Sequence, residues 1–145
     1  MTSPTVFKIS RHYAGVILKD KKGRMLLQQR DSKPSIVNSG LISFFGGSCN
    51  PDESAIECAL REIFEELNIH LNPQYLQKLA EYVKQEKDGT YTHVTLFVYT
   101  QPVKVHKTDV TEGKLYLFDP KSKELSDLNC TSICRRGIEE YLRRH

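Results

Sequence analysis

No run of apolar residues in this chain approaches the roughly 20 that a helix needs to cross a bilayer. Met1 to Lys8 also lacks the long apolar core of a secretory signal, so the sequence predicts a cytoplasmic protein that makes no membrane contact. Cysteine is sparse and makes no CxxC pair, so Cys49, Cys58, Cys130 and Cys134 are expected as reduced thiols. Cys130 and Cys134 lie one turn apart near the last helix. No second ligand pair with zinc spacing accompanies them, and ordinary packing is the expectation. A large excess of charge is missing too. The net +3 is too small to argue for nucleic acid and is compatible with a small polyanionic substrate. There is no repeat, linker or low-complexity stretch. At 145 residues, 39% hydrophobic and 27% charged, residues 1–145 read as a single globular domain with a real core.

The pattern along that domain is mixed. His12 to Lys19 is apolar and strand-like, Lys22-Gly23 turns it, and Met25 to Arg30 returns as its partner. Asp31 to Gly40, with Pro34, Asn38 and Gly40, reads as a loop, and Leu41 to Phe45 as a short strand ending at Gly46-Gly47. Ser54 and Glu57 form a Ser-x-x-Glu capping pattern that opens a helix, which Asn68 is expected to stop. Tyr75 to Gln85 and Tyr91 to Gln101 flank the turn dipeptide Asp88-Gly89. Gln101 to Glu112 reads as a loop and Lys114 to Phe118 as a strand that Asp119-Pro120 breaks. Lys121 to Leu128 is expected as a short helix. Ser132 to Leu142 is expected as a terminal one, with Ile133, Ile138 and Leu142 inward. Strands, hairpins and helices in this order predict an α/β sandwich.

The densest information lies in residues 47–69, where Glu53, Glu57, Glu62, Glu65 and Glu66 stand against a single cation, Arg61. On a helix turning about 100° per residue, Ile56, Leu60, Ile63 and Leu67 form one narrow stripe, expected to face a core. Glu62, Glu65 and Glu66 fall in a different arc. Like charges one turn apart destabilise a helix by roughly 0.2–0.5 kcal/mol per pair, so clustering them makes sense where a cation sits. Cys58 shares the acidic arc with Ala55, and small residues there allow a loop or ligand to approach as readily as they allow packing.

The spacing resembles the Nudix box, Gly-x5-Glu-x7-Arg-Glu-(aliphatic)-x-Glu-Glu-x-Gly-(aliphatic). Gly47, Glu53, Arg61, Glu62, Ile63, Glu65, Glu66 and Ile69 each occupy a defined position, and Asn68 replaces the last glycine. That substitution is mild, because Asn also tolerates the left-handed conformation at a helix end. The resemblance implies a Nudix-type α/β/α sandwich with a mixed β-sheet between helices, its core beginning at about His12. It implies a hydrolase of the MutT-like kind, a pyrophosphatase that uses magnesium, with manganese as a substitute. The metal would be held by Glu62, Glu65, Glu66 and the backbone carbonyl of Gly46, with Glu62 either a ligand or the base for the attacking water. Arg61 would orient a catalytic glutamate, against the alternative of an ordinary surface pair with Glu57 or Glu65. Glu53 either ties the loop to the helix or binds metal.

Family members often supply one more acid from a late loop, and Glu112 is the candidate here, against a solvated loop acid. Arg30 stands where relatives often place a phosphate-binding arginine, against a plain edge charge. Phe44 and Phe45 are expected in the core, with one of them, Phe45, assigned to the substrate pocket. Lys104, His106 and Lys107 either face an anion or are solvated, and Arg143, Arg144 and His145 read as a frayed basic end. The expected partner is a small phosphorylated molecule, a nucleoside diphosphate linked to another group X, with no nucleic acid bound and a homodimer allowed. The first core strand starts early, which leaves little room for the extra N-terminal β-region of relatives specialised for ADP-ribose. Nucleotide sugars and nucleoside triphosphates are therefore placed first. A non-catalytic nucleotide-binding module is the rival, and it fits less well because such modules tend to lose the box acids that this chain retains.

Overall fold

The computed structural model of the protein describes residues 8–33 and 39–145. Within them the order is β1 (Ile9–Lys19), β2 (Met25–Gln29), β3 (Ile42–Ser43), β4 (Phe45–Ser48), α1 (Ala55–Leu67), β5 (Leu76–Gln85), β6 (Tyr91–Tyr99), β7 (Lys114–Phe118) and α2 (Ser132–Arg144). Most of the expected elements are present with small shifts at their ends. Pro34 and Asn38 of the expected loop lie outside the described residues.

β1 is the axis of the mixed sheet. It runs parallel to β6 on one side, and antiparallel to β4 through Tyr13–Val16 and then to β2 at Leu18–Lys19. β5 extends the sheet beyond β6, and β7 pairs with β2 along its whole length. The period of two along a strand sends alternate residues to opposite faces. Ala14, Val16 and Leu18 of β1 pack in the layer under α1, with Ile63 and Leu67. Ile17 packs in the other layer, under α2, with Leu96, Phe118 and Ile138. Two apolar layers on the two faces of one sheet make the α/β/α sandwich.

Several expectations need correction. The run Leu41 to Phe45 is two strands rather than one, since β3 joins β2 while β4 crosses to β1. Gly46 permits this with φ of 148°, and a Cβ there would overlap the Ala14 carbonyl, so only glycine lets β4 lie this close to β1. Lys121 to Leu128 is not an α-helix; only a 3-10 turn forms, at Leu125–Asp127. The Arg135 guanidinium donates to the carbonyls of Leu125 and Leu128 at 3.0 and 2.6 Å, which ties this turn to α2. On α2 the buried residues are Cys134, Gly137, Ile138 and Tyr141, whereas Leu142 is 41% exposed. The helix is rotated toward Gly137 because the Phe44 ring fills the space a side chain would take there.

α1 opens as expected. Ser54 accepts from the Glu57 backbone and Glu57 returns the bond to the Ser54 backbone, a complete capping box. Its core stripe differs: Cys58, Ala59, Ile63 and Leu67 are buried, and Ile56 is 42% exposed. The helix is thus turned so that part of its acidic arc faces the sheet, where glycines offer no side chains to keep it off. At the other end Asn68 takes φ 57° and ψ 36°, its N–H bonds the Phe64 carbonyl at 2.8 Å, and the helix stops. Asn68→Gly should therefore be neutral or stabilising by up to about 1 kcal/mol. Asn68→Val should cost about 1–2 kcal/mol, lowering Tm by several degrees in a thermal denaturation scan.

Candidate active site

The acidic arc of α1 lies on the two glycines of β4. A Cβ on Gly47 would stand 2.6–2.8 Å from the Glu62 carboxyl atoms. The Gly46 N–H donates to Glu66 Oε1 at 2.8 Å. Box glycine and box acids are therefore one packed unit.

Arg61 organises the acids on its side of the helix. Its guanidinium grips Glu53 with two bonds, Nε to Oε2 at 2.5 Å and Nη2 to Oε1 at 2.8 Å. It also donates to Glu62 Oε1 at 3.0 Å, Glu65 Oε2 at 3.1 Å and the Ser48 carbonyl at 3.1 Å. Glu57 is engaged in the cap instead. Glu53 also accepts from the Asn50 N–H at 2.8 Å, so it ties the loop to the helix. The Arg61 bonds, then the Asn50 N–H, hold the Glu53 carboxyl down at about 2.

Burial acts the other way on the remaining acids. The Glu62 side chain is only 16% exposed, and its carboxyl is raised, first by burial, against the pull of Arg61. Glu66 is pushed up to about 8, first by burial and further by Glu62 and Glu112, although the Gly46 N–H and Arg30 oppose this. Glu65 is 55% exposed at its side chain.

Glu112 is brought to this group by the loop before β7. Thr111 N–H donates to the Glu66 carbonyl at 3.1 Å and Thr111 Oγ1 to the Glu65 carbonyl at 3.3 Å, satisfying helix-end acceptors. Gln28 Nε2 holds the Glu112 carbonyl at 2.9 Å, and Gly113 has φ of 69°, where a Cβ would overlap the Gln29 carbonyl. Arg30 lies between two cavities. One, of about 240 Å³, it lines with Gln28, Asp31, Glu112 and Gly113. The other, of about 330 Å³, opens beside Gly46 and Gly47.

The second cavity contains what the sequence reading missed. Arg11 and Tyr13 of β1, Lys84 and Glu86 at the end of β5, and Thr131 and Ser132 at the start of α2 all line it. Residues 11 and 13 alternate with the α1-side residues of β1, a period that points them at the α2 face; only knowing which strands neighbour β1 brings Lys84 to them. Phe44 lines this cavity, whereas Phe45 is 0% exposed in the layer under α1. Both rings are core residues, Phe45 under α1 and Phe44, 2% exposed, under α2 with its ring against Gly137, because consecutive residues point to opposite faces of the sheet. A cleft of about 390 Å³ walled by Lys21, Lys22, Lys104, Val103 and Leu117 shares no residue with the acidic helix. Lys107 and Asp109 bound a 3-10 turn in the preceding connection.

The cysteine expectation is also corrected. Cys49 and Cys58 are joined by a disulfide, with Cα atoms 5.1 Å apart, and only Cys130 and Cys134 are free. The small residue on the acidic arc admits a loop, and that loop is the one leaving β4.

Among the described residues no three acid, imidazole or thiol groups converge on one point as a ready cation cage. The donor set nonetheless suits a hard divalent ion: it is all oxygen, with Glu66 near the like charges of Glu62 and Glu112.

Comparison with known proteins agrees with this architecture. The sequence matches the NUDIX domain family over residues 10–129. The fold is similar to that of a MutT protein from Methanosarcina mazei Go1, with TM-score 0.77 and 22% identity over 97% of this chain and 98% of that one. It is similar to the E. coli ORF135 protein, with TM-score 0.71 and 22% identity over 94% and 91% of the two chains. It is also similar to the NUDIX domain of Shewanella oneidensis NrtR complexed with ADP ribose, with TM-score 0.73 and 16% identity over 99% and 93%. Comparison with curated proteins gives no match. With the box on a capped helix against the β4 glycines and the family match spanning most of the chain, this protein belongs to the NUDIX domain family.

Proposed function

We propose that the protein is a magnesium-dependent pyrophosphohydrolase, with manganese as a substitute, that cleaves a nucleoside diphosphate linked to another group X. The observation that carries this is geometric: Glu62 and Glu66 of the box pack on Gly47 and Gly46 of β4, and the loop before β7 brings Glu112 to the same group. Glu66, Glu65, Glu62 and the Gly46 carbonyl would hold the ion. Bound there, it supplies neutralisation of the phosphoryl oxygens and helps hold them in line with the attacking water.

The chain's own residues do the rest. Glu62 or Glu112 takes the proton of the water as its oxygen bonds to phosphorus, and the bridging P–O bond breaks to release the second product. Arg61 keeps Glu62 and Glu65 in place. Arg30 lies between Glu112 and the larger cavity, suited to a phosphate, and Arg11 and Lys84 extend the cationic lining. Residues 1–145 act as one domain, in the cytoplasm, on a small molecule rather than on nucleic acid, as monomer or homodimer. No helix among the described residues is long and apolar enough to cross a membrane.

Nucleotide sugars and nucleoside triphosphates stand first as substrates, and ADP-ribose joins them because a neighbour of the same fold carries it. Hydrolysis of such a panel should require magnesium and stop with a chelator. Reaction in 18O-labelled water, read by 31P NMR, should place the label on one phosphorus. Saturable nucleotide binding with no hydrolysis of any panel member would overturn the reading in favour of a non-catalytic module.

A further inference from the structure

We infer that the Cys49–Cys58 disulfide is a positioning bond for the catalytic group, and that its reduction by a dithiol lowers turnover. The inference rests on the proposed roles of Glu62 and Arg61. Cys49 leaves β4, and its N–H is anchored on the His12 carbonyl at 2.8 Å. Cys58 lies one helical turn before Glu62 and is 0% exposed. Its sulfur stands 3.7 Å from the Gly47 carbonyl oxygen. The bond thus fastens residues 47–49 to α1 where they meet Glu62 and Arg61. Gly47 packs on the Glu62 carboxyl, and the Ser48 carbonyl accepts from Arg61 at 3.1 Å.

Opening the bond has a direction. Once the bond is cleaved, the two thiols must move apart to van der Waals contact. Cys58 cannot give way, because it is buried beside Ala59 on the core face of the helix. Cys49 is only partly buried and sits on a loop, so the loop moves. That displacement carries the Ser48 carbonyl off Arg61 and loosens the wall behind Glu62. In chemical terms a dithiol reductant attacks one sulfur as thiolate, the S–S bond breaks, and its second thiol closes to a cyclic disulfide. Two electrons and two protons pass to Cys49 and Cys58. The Cys49 end of the bond is only partly buried and lies beside the proposed reacting groups, so a dithiol attacks there.

The test compares oxidised and dithiol-treated protein, with free thiols counted by alkylation and mass spectrometry. Reduction should lower kcat about fivefold, the scale of one lost hydrogen bond, while KM stays within about twofold. Reoxidation with a small disulfide should restore kcat. The double variant Cys49→Ser/Cys58→Ser should start at the lowered kcat and ignore the dithiol, which separates this pair from Cys130 and Cys134. Hydrogen exchange at Gly47–Glu53 should speed up on reduction, and this readout needs no substrate. Equal kcat and equal exchange in the two states would overturn the inference, as would a change in KM alone. If no panel substrate is cut but exchange still responds, the clamp stands and the reading of the activity falls.

Discussion

Glu66→Gln is expected to remove nearly all turnover while leaving the fold intact. The amide keeps the size of the side chain and an oxygen for the Gly46 N–H, now at 2.8 Å from Glu66 Oε1, so the β4–α1 contact persists. What disappears is the charge. In the wild type that charge is disfavoured by burial and by Glu62 and Glu112, which is the arrangement a divalent ion relieves. Loss of the ion's stabilisation of the phosphoryl charge is worth several kcal/mol, roughly 10³-fold in kcat. The binding side is measurable without substrate. Magnesium at 100 times its Kd should stabilise the wild type by about 2.7 kcal/mol, and Glu66→Gln should lose most of that shift in a thermal scan. Without metal the variant should melt no lower than the wild type near neutral pH, since a carboxyl raised to about 8 is there mostly uncharged and the amide replaces it at the same size. A magnesium shift of unchanged size in Glu66→Gln would remove this residue from the ion site.

How far the sequence could be read depended on whether the signal was local. The capping box at Ser54 and Glu57 and the stop at Asn68 are set by residues within one turn, and both are as expected. The Asp88-Gly89 turn is likewise local, with Gly89 at φ 86°. The errors come from contacts between distant segments. The sequence predicts the apolar stripe of α1 as Ile56, Leu60, Ile63 and Leu67, but the β4 glycines draw the helix round until Cys58 and Ala59 are buried and Ile56 is not. The same approach brings Cys49 to Cys58, which no spacing rule anticipates. The segment expected as a helix at Lys121–Leu128 forms only a 3-10 turn at Leu125–Asp127, which Arg135 of the next element ties to α2. At the site itself, box acids and Arg61 are adjacent in sequence and therefore legible. Arg11, Lys84 and the start of α2 meet only because β1, β5 and α2 are assembled around one cavity.

Arg61→Ala should cost both stability and turnover, and Arg61→Lys should restore little of either. The guanidinium makes five hydrogen bonds that reach Glu53, Glu62, Glu65 and the Ser48 carbonyl, and its side chain is 28% exposed. Removing it leaves the largely covered Glu62 carboxylate without its cation. A hydrogen bond to a charged group is worth about 1.5–3 kcal/mol when well shielded; partial exposure discounts each of these, so a net loss of about 2–3 kcal/mol is expected in denaturant unfolding. Lysine offers one point charge on a flexible stem and cannot bridge four acceptors with fixed geometry. Turnover should fall about 10²-fold or more, because proton transfer depends on where the Glu62 carboxylate sits and positioned acid–base groups contribute about 10²–10⁴-fold. The pH dependence supplies a separate check with a definite sign. Glu53 is lowered from 4.5 to about 2, chiefly by Arg61, so its contribution to stability is present above about 4.5 and is lost as pH falls toward about 2. In Arg61→Ala that acid-side loss should shrink, and the stability curves of variant and wild type should converge as pH falls through this window. Near-normal kcat in both variants, or curves that stay parallel down to pH about 2, would reduce Arg61 to a helix-surface charge.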